Sequence, residues 1–109
     1  MAFKVEIPTL VLTALKSGPS HGYEIVKKLR ESGVAKKLTE GQIYPILHKL
    51  EADGVIASEW VIQPTGPARK VYQLTARGTA ELEARKLEWQ SFATSVGQLL
   101  GPAKEVNLG

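Results

Sequence analysis

One stretch decides the fold predicted for this chain: TEGQIYPILHKLEADG, from Thr39 to Gly54. Thr39 is a residue type that caps helix N-termini, and Gly54 can take the left-handed conformation that ends a helix. Between these limits, apolar residues recur at the three- and four-residue spacing of one helix face. They are Ile43, Ile46, Leu47 and Leu50. The stretch is therefore predicted to be an amphipathic helix, with Pro45 in its early turns.

The opposite face of this predicted helix is polar. It carries Gln42, Tyr44, His48 and Lys49. These side chains can hydrogen-bond base edges or phosphates, and none is needed to fill a core. A helix with one packing face and one polar face suits the second helix of a helix-turn-helix. A core helix whose polar face is merely solvated is the plainer alternative.

Length and composition limit the possible classes of protein. The chain has 109 residues, 43% hydrophobic and 23% charged, which is typical of one globular domain. No apolar run approaches the roughly 20 residues of a membrane helix, and the N-terminus lacks a signal-peptide pattern. Cysteine is absent, which excludes disulfides and thiolate sites. We expect a cytoplasmic protein with no membrane association.

The positive charge is unevenly distributed. The net charge is +3, but residues 16–50 carry seven Lys or Arg against three Glu. Residues 51–63 hold three acids and no cation, whereas residues 64–77 hold three cations and no acid. Two basic blocks of this kind favour one surface that faces a polyanion. Scattered surface lysines are the alternative explanation.

The rest of the chain supplies helices around the organising one. Residues 6–17 have helical apolar spacing, and Gly18-Pro19 stops that helix. Ser20 is a candidate N-cap for a second helix over residues 21–31, which Gly33 ends. The short connection from Gly33 to Thr39 predicts two helices held as a compact, angled pair.

The chain then changes to β-type patterning. Residues 55–62 and 69–74 are predicted strands, and the Pro/Gly-rich residues 63–68 form the turn between them. A two-stranded hairpin is not stable alone, so it must pack on the helices. Trp60 and Tyr72 are most simply interpreted as packing groups.

No catalytic, metal or cofactor site is predicted. His21 stands alone near a helix start, without a second ligand at metal-binding spacing, so we interpret it as a hydrogen-bonded structural residue. The chain has no Gly-rich phosphate loop and no supported nucleophile–base arrangement. An enzyme is therefore not expected.

Thr75 is predicted to cap a last long helix over residues 76–100. Its apolar residues approach a heptad seam: Leu82, Trp89, Phe92, Ala93, Val96, Leu99 and Leu100. A projecting apolar seam favours pairing with the same helix of a second copy. Folding back over its own core is the alternative. The predicted organisation is a winged helix-turn-helix domain at 1–75, a dimerisation helix at 76–101 and a flexible tail at 102–109.

The predicted fold class is mainly α with a small β-hairpin wing, a winged helix-turn-helix followed by a C-terminal dimerisation helix. Three blocks carry a family resemblance: Gly18 to Glu24, Gly41 to Gly54, and Gly66 to Thr75. In this order and spacing they resemble the signature blocks of the PadR family of transcriptional regulators. The resemblance covers about residues 8–85, and the single C-terminal helix is similar to that of the shorter subfamily.

The resemblance implies a homodimeric DNA-binding repressor whose C-terminal helices pair and frame an apolar effector pocket. It implies that Tyr44 contacts the DNA backbone and that Gln42, His48 and Lys49 face the major groove. Arg69 and Lys70 would stand at the wing, and His21 and Tyr23 near a phosphate or packed beneath it. The full predicted DNA-binding set is His21, Tyr23, Thr39, Gln42, Tyr44, His48, Lys49, Thr65, Gly66, Arg69 and Lys70.

Two positions depart from the family pattern. Glu40 stands where family members often carry proline; its carboxylate suits a helix start but would repel a nearby phosphate or accept from a cytosine amino group. Val71 replaces a common aromatic residue, which would alter wing packing more than binding. The first departure leaves the preferred DNA sequence open.

The predicted function is therefore a dimeric, nucleoid-associated repressor on a pseudo-palindromic operator in double-stranded DNA. A small aromatic or apolar effector would stack on Trp89 and Phe92 and release the DNA, although both rings could equally be interface core. No cofactor is expected. The alternative is a winged-helix module that binds protein through the same polar face, without an operator of its own.

Overall fold

The computed structural model describes residues 6–101. Four helices and three strands follow in chain order: α1 Ile7–Ala14, β1 Ser20–His21, α2 Gly22–Glu31, α3 Glu40–Ala52, β2 Ile56–Val61, β3 Arg69–Leu74 and α4 Ala76–Leu100. A 3₁₀ turn, Leu15–Ser17, extends α1. The predicted fold class is confirmed, because helices dominate and a hairpin forms the wing. The tail predicted at 102–109 lies outside the described residues.

The sheet has one strand more than predicted. Its order is β1-β3-β2, and both pairings are antiparallel. Ser20 and His21 pair with Tyr72 and Val71, so the residues just before α2 form an edge strand. A two-residue strand has no periodicity to detect, which is why the sequence pattern indicated only two strands. The extra strand ties the start of α2 directly to the wing.

Side chains define the helix starts, with one correction. Thr39 caps α3 and Thr75 caps α4, as predicted. The cap of α2 is His21 rather than Ser20: its Nδ1 accepts from the Glu24 N–H at 3.3 Å, and the Glu24 carboxylate accepts from the His21 N–H. Buried Ser20 instead accepts a hydrogen bond from Lys28 Nζ at 3.1 Å.

One core joins the three short helices to the base of the sheet. The predicted inner face of α3 is largely buried there, since Ile43, Leu47 and Leu50 are inaccessible and Ile46 packs at the margin. The other buried apolar residues are Val11, Leu12, Ala14, Leu15, Ile25, Val26, Leu29, Ala35, Leu38, Val55, Ile56, Tyr72 and Leu82. α3 is continuous through Pro45, and Gly54 ends it at a φ of 80°.

A tight junction fixes where α4 leaves the domain. Thr75 Oγ1 donates to the Gly54 carbonyl at 2.7 Å and accepts from the Gly78 N–H at 3.0 Å. The Thr75 N–H also donates to the Val55 carbonyl. Gly78 packs so closely on Val55 that a Cβ atom there would overlap the Val55 carbonyl oxygen. The first turns of α4 are thereby pressed against the link between α3 and β2.

The structure corrects the assignment of Leu82 to the dimer seam. Leu82 is 8% exposed and belongs to the core of its own subunit. Farther along α4, Arg85 binds Glu81, Thr9 and Glu6, which fastens the helix to α1. The apolar stripe continues on the same helix face beyond the end of the core, where Leu99 and Leu100 are 88% and 80% exposed.

We predict that Gly78→Ala lowers the free energy of unfolding by about 1–3 kcal/mol, the usual cost of forcing a methyl group into a packed region. Gly41→Ala is the matched control. It also lies in a helix, but its added Cβ would meet only Thr39 Oγ1 at 3.9 Å. Urea unfolding at a fixed protein concentration measures both. Equal midpoints for Gly78→Ala and the unmodified protein would contradict the tight junction.

Candidate nucleic-acid interface

The exposed face of α3 has two edges that point in different directions. At about 100° per residue, Gln42 and Tyr44 stand about 160° apart around the helix. Tyr44 and His48 lie on the edge beside the sheet. Gln42 lies on the other edge, against the connection between α2 and α3. The four residues of the predicted polar face, Gln42, Tyr44, His48 and Lys49, are all exposed, but they do not form one cluster.

The edge with Tyr44 and His48 borders a concave surface of about 1030 Å³, which we call the wing groove. Its walls are the start of α2, one edge of α3 and the base of the wing. It is lined by His21, Gly22, Tyr23, Glu24, Lys27, Lys28, Glu31, Tyr44, His48, Trp60, Arg69, Lys70 and Tyr72. Six of the predicted DNA-binding residues meet here: His21, Tyr23, Tyr44, His48, Arg69 and Lys70.

The ring of Tyr44 packs directly against Gly22. A Cβ atom at Gly22 would lie 2.9 Å from Tyr44 Oη and 3.0 Å from its Cε1, so the ring occupies the space that any other residue would fill. Tyr44 remains 41% exposed. Its hydroxyl is thus held at the first turn of α2 while still reaching solvent, an arrangement that suits a donor to a phosphate.

His21 joins the wing to α2. Arg69 NH1 lies 2.8 Å from His21 Nε2, while His21 Nδ1 accepts the Glu24 N–H. A neutral imidazole has only one acceptor nitrogen. It can therefore complete the helix cap or accept from Arg69, but it cannot do both at full strength. Arg69 lies on the rim of the wing groove, and its hydrogen bond to His21 is therefore weak.

Lys70 is engaged differently from Arg69. Its Nζ lies 3.8 Å from Glu51 Oε1 and 5.7 Å from the centroid of the Tyr72 ring. The other oxygen of Glu51 accepts from Ser58 Oγ. Burial, chiefly, together with the nearby Glu51 and then Tyr44, raises the pKa of Tyr72 above its ordinary value. Lys70 therefore braces the wing against α3.

The structure places the other predicted residues away from the wing groove. Thr39 and Gln42 bind each other in a capping box, where Gln42 Oε1 accepts from the Thr39 N–H at 3.0 Å. Lys49 lies 3.7 Å from Asp53. Thr65 and Gly66 are exposed at the wing turn, where Gly66 has a φ of 84°.

Sequence reasoning missed several groove residues. Lys27 and Lys28 are absent from the predicted DNA-binding set, and Trp60 was interpreted as a packing group. Trp60 is in fact 68% exposed. Lys28 Nζ also donates to Ser17 Oγ at 3.2 Å and to the Ala14 carbonyl at 3.4 Å. The sequence feature that could have indicated these groove residues is the adjacent pair Lys27 and Lys28, which follows Gly22-Tyr23.

The outer half of α4 presents an apolar surface. Trp89 and Phe92 lie with ring centroids 6.1 Å apart and planes inclined by 34°. Both rings are more than half exposed, and Val96 is partly exposed. Ala93, Leu99 and Leu100 are exposed on the same side of the helix.

Membrane spans and metal clusters are both missing from the described part of the chain. Between residues 6 and 101, no helix is both long and apolar enough to cross a bilayer. Over the same span, no group of three or more His, Cys, Asp or Glu side chains is arranged to hold a metal ion.

Similarity to known proteins identifies the family. Residues 11–84 match the profile described as the Transcriptional regulator PadR-like family. The chain belongs to this family. It is 36% identical over 76 residues to the Transcriptional regulator Rv3488 of Mycobacterium tuberculosis, which covers 70% of this chain and 68% of that protein. It is 37% identical over 87 residues to the Negative transcriptional regulator PadR of Bacillus subtilis, covering 79% of this chain but 48% of the relative.

Solved structures of PadR-like proteins have the same fold. A PadR family transcription regulator from Clostridium difficile R20291 is 35% identical and superimposes with a TM-score of 0.78, covering 87% of this chain and 98% of that one. A PadR-like regulator from Bacillus cereus is 30% identical with a TM-score of 0.79, covering 88% and 92%.

Proposed function

We propose that this PadR-like regulator is a dimeric repressor that binds a pseudo-palindromic operator in double-stranded DNA. The observation that carries the proposal is the wing groove beside the exposed face of α3, where Tyr44, His48 and Arg69 converge. In this arrangement α3 enters the major groove and the wing groove receives the adjacent sugar–phosphate backbone. A repressor role is supported by the name of the Bacillus relative, a negative regulator. The expected location is the cytoplasm, on the nucleoid.

Arg69 is the cation that the backbone would recruit. Its contact with His21 joins a charged donor to a neutral ring, whereas a phosphate offers a charge-assisted hydrogen bond that is shorter and roughly twice as strong. On binding, Arg69 would leave His21 for the phosphate, and His21 would keep its cap with Glu24. Tyr44 Oη would donate to the same stretch of backbone.

Contacts to base edges would come from side chains on the two exposed edges of α3. His48 lies on the same edge as Tyr44. Lys49 stands about 20° from Gln42 around the helix, so both would approach the bases from the opposite edge, Gln42 through its amide NH₂. Glu40 is exposed at the first turn of α3 and would accept from a cytosine amino group. Thr39, Thr65, Gly66, Tyr23 and Lys70 complete the proposed surface, with Lys70 in a bracing role.

The test is a selection of bound duplexes from a randomised pool, followed by measurement of affinity across salt concentrations.

We predict that Arg69→Ala lowers the magnitude of the log–log salt slope by about 0.9 for each phosphate that Arg69 neutralises. Lys70→Ala is the matched control, and it should change the slope little because Glu51 already pairs with Lys70. An unchanged slope for Arg69→Ala would remove it from the interface. If no duplex is retained, the winged-helix module for protein partners becomes the better hypothesis.

Dimer formation is proposed to use the outer half of α4, within a chain organised as a DNA-binding domain to residue 75 and a dimerisation helix after it. Trp89, Phe92, Ala93, Val96, Leu99 and Leu100 would pack against the same residues of a second copy. Exposed apolar surface of this extent marks an interaction site. Two copies would place their α3 helices in successive major grooves, about 34–36 Å apart.

We predict that Leu99→Ser combined with Leu100→Ser converts a dimer into a single subunit in sedimentation equilibrium, because both side chains would otherwise be buried between the two helices. Leu87→Ser is the matched control. Leu87 is also an exposed leucine of α4, but it lies about 180° around the helix from Val96. A wild-type protein that sediments as one subunit would refute the dimer.

The dimer is also proposed to bind a small effector molecule. The paired α4 helices would hold a planar aromatic or apolar ligand against Trp89 and Phe92, and a ligand that prefers a different dimer geometry would release DNA. The tilted, exposed pair of rings supports this role. Titration with planar aromatic compounds should change tryptophan emission and dissociate the selected duplex in parallel. A ligand that changes emission without releasing DNA would leave the rings as interface alone.

A further inference from the structure

Two oppositely charged side chains meet at one nitrogen of the His21 ring. Nε2 lies 2.8 Å from the Arg69 guanidinium and 3.2 Å from Glu24 Oε1. The ring is largely buried, since the His21 side chain is 19% exposed. A guanidinium can only donate, so its contact requires a lone pair on Nε2, whereas a carboxylate can only accept, so its contact requires an N–H there. The two contacts therefore demand opposite protonation of the same nitrogen.

A proton on the ring resolves this conflict in favour of Glu24. Both nitrogens of a charged imidazole are donors, so the ring can no longer accept from Arg69, and the two positive charges repel each other. Nδ1 also gives up the Glu24 N–H, but the Glu24 carboxylate can accept from the charged ring while it accepts from the His21 N–H. A protonated His21 and a bound Arg69 thus exclude each other.

The other charged and titratable groups around His21 have different contacts. On α2, the Tyr23 ring lies 6.2 Å from the imidazole between centroids, and Lys28 donates to two serine hydroxyls. On β3, Lys70 is turned toward α3. Among the described residues, the imidazole has hydrogen bonds or ion pairs with no charged groups other than the two already named. The remaining titratable side chains that line the groove are Lys27, Glu31, Tyr44, His48 and Tyr72.

We infer that DNA binding takes up a proton at His21, so that acidification strengthens binding. The inference rests on the proposed function, in which Arg69 leaves His21 for a phosphate. After that exchange Glu24 is the unopposed neighbour of the imidazole, and the phosphates bring further negative charge to the groove. The complex therefore binds a proton more tightly than the free protein does. Because linkage is reciprocal, DNA binds more tightly where the proton is available. At higher pH the ring stays neutral and keeps its cap.

The chain has two histidines, so removing the other one isolates His21. His48→Gln changes an exposed side chain, which leaves the core untouched. This variant is titrated, at low and constant ionic strength, with a fluorescent mixed-sequence duplex of about 30 base pairs, which spans two half-sites. Phosphate contacts are independent of sequence, so the operator need not be known. Fluorescence anisotropy gives the affinity at the two ends of the histidine range, about pH 6 and about pH 8.

We expect the His48→Gln protein to bind about threefold or more tightly at the lower pH, and by no more than about tenfold per pH unit, because a single proton is taken up. Adding His21→Asn removes the titrating ring but keeps a favoured N-cap residue at the start of α2. That double variant should bind equally at both pH values. The N-terminal amine titrates in the same range, but it is common to both proteins and cannot cause the difference.

Two cation variants in the His48→Gln background test the exchange itself. With Arg69→Ala there is no guanidinium to displace, so Glu24 already favours the charged ring before DNA arrives. Less proton is then taken up on binding, and the pH dependence should shrink. Lys70→Ala is the matched control. Its side chain pairs with Glu51 rather than with the imidazole, so the full pH dependence should remain.

The ring also gives a readout that is separate from affinity. The His48→Gln protein shows a single histidine Hε1 signal in its proton NMR spectrum, and acid titration of the free protein gives the position of that signal for the charged ring. At neutral pH, adding the duplex should move the signal toward that position. A signal that stays at the neutral position in the saturated complex overturns the inference, because a merely structural His21 would behave in this way.

The outcomes separate this inference from the proposed function. Equal affinity of the His48→Gln protein at the two pH values overturns proton uptake and leaves the proposed function standing. Failure to bind the duplex at either pH overturns both. A pH dependence that survives His21→Asn overturns the assignment to His21, and one that Arg69→Ala leaves undiminished overturns the exchange. Circular dichroism at both pH values verifies that each variant is folded, so that a lost response is not a lost fold.

Discussion

The central position of β3 is the constraint on which the rest of the structure depends. This strand pairs with β2 along six residues and with β1 at Ser20 and His21. Because backbone hydrogen bonds fix both neighbours, the wing and the first turn of α2 are held by the same strand. The wing groove is the space between those two fixed elements and α3. Its side chains meet because of this pairing, since His21 and Arg69 are 48 residues apart in the chain.

Two glycines let helices approach other parts of the chain as closely as this arrangement requires. Gly22 leaves room for the Tyr44 ring above the first turn of α2, and Gly78 lets α4 press against the Val55 carbonyl. The close approach at Gly22 positions a candidate phosphate donor. The one at Gly78 directs α4 out of the domain toward the proposed partner. Both depend on a missing side chain rather than on an attractive pair of groups.

The charges show why a basic sequence block is an incomplete guide to a binding surface. Lys70 pairs with Glu51, Lys28 bonds Ser17 and Ser20, and Arg85 fastens α4 to α1. These cations act within the fold. Arg69, whose partner is a histidine ring, can exchange that contact for a phosphate. Whether a cation stabilises the fold or can bind a phosphate depends on its neighbouring side chains, and not on how many cations a stretch of sequence holds.

The sequence by itself determined the elements and their kind. Apolar spacing located α1, α2 and α3, the Thr39 and Thr75 caps fixed two helix starts, and the three signature blocks indicated the family before any coordinates. These features are local, because spacing and capping involve residues within a few positions of each other. Only the tertiary structure decided that Ser20 and His21 form a third strand, that Leu82 belongs to the core, and that Tyr44 faces the sheet while Gln42 faces the connection between α2 and α3. It also decided that Lys70 faces a carboxylate while Trp60 faces solvent. Each of these depends on which distant segment lies alongside, and a linear pattern carries no record of that.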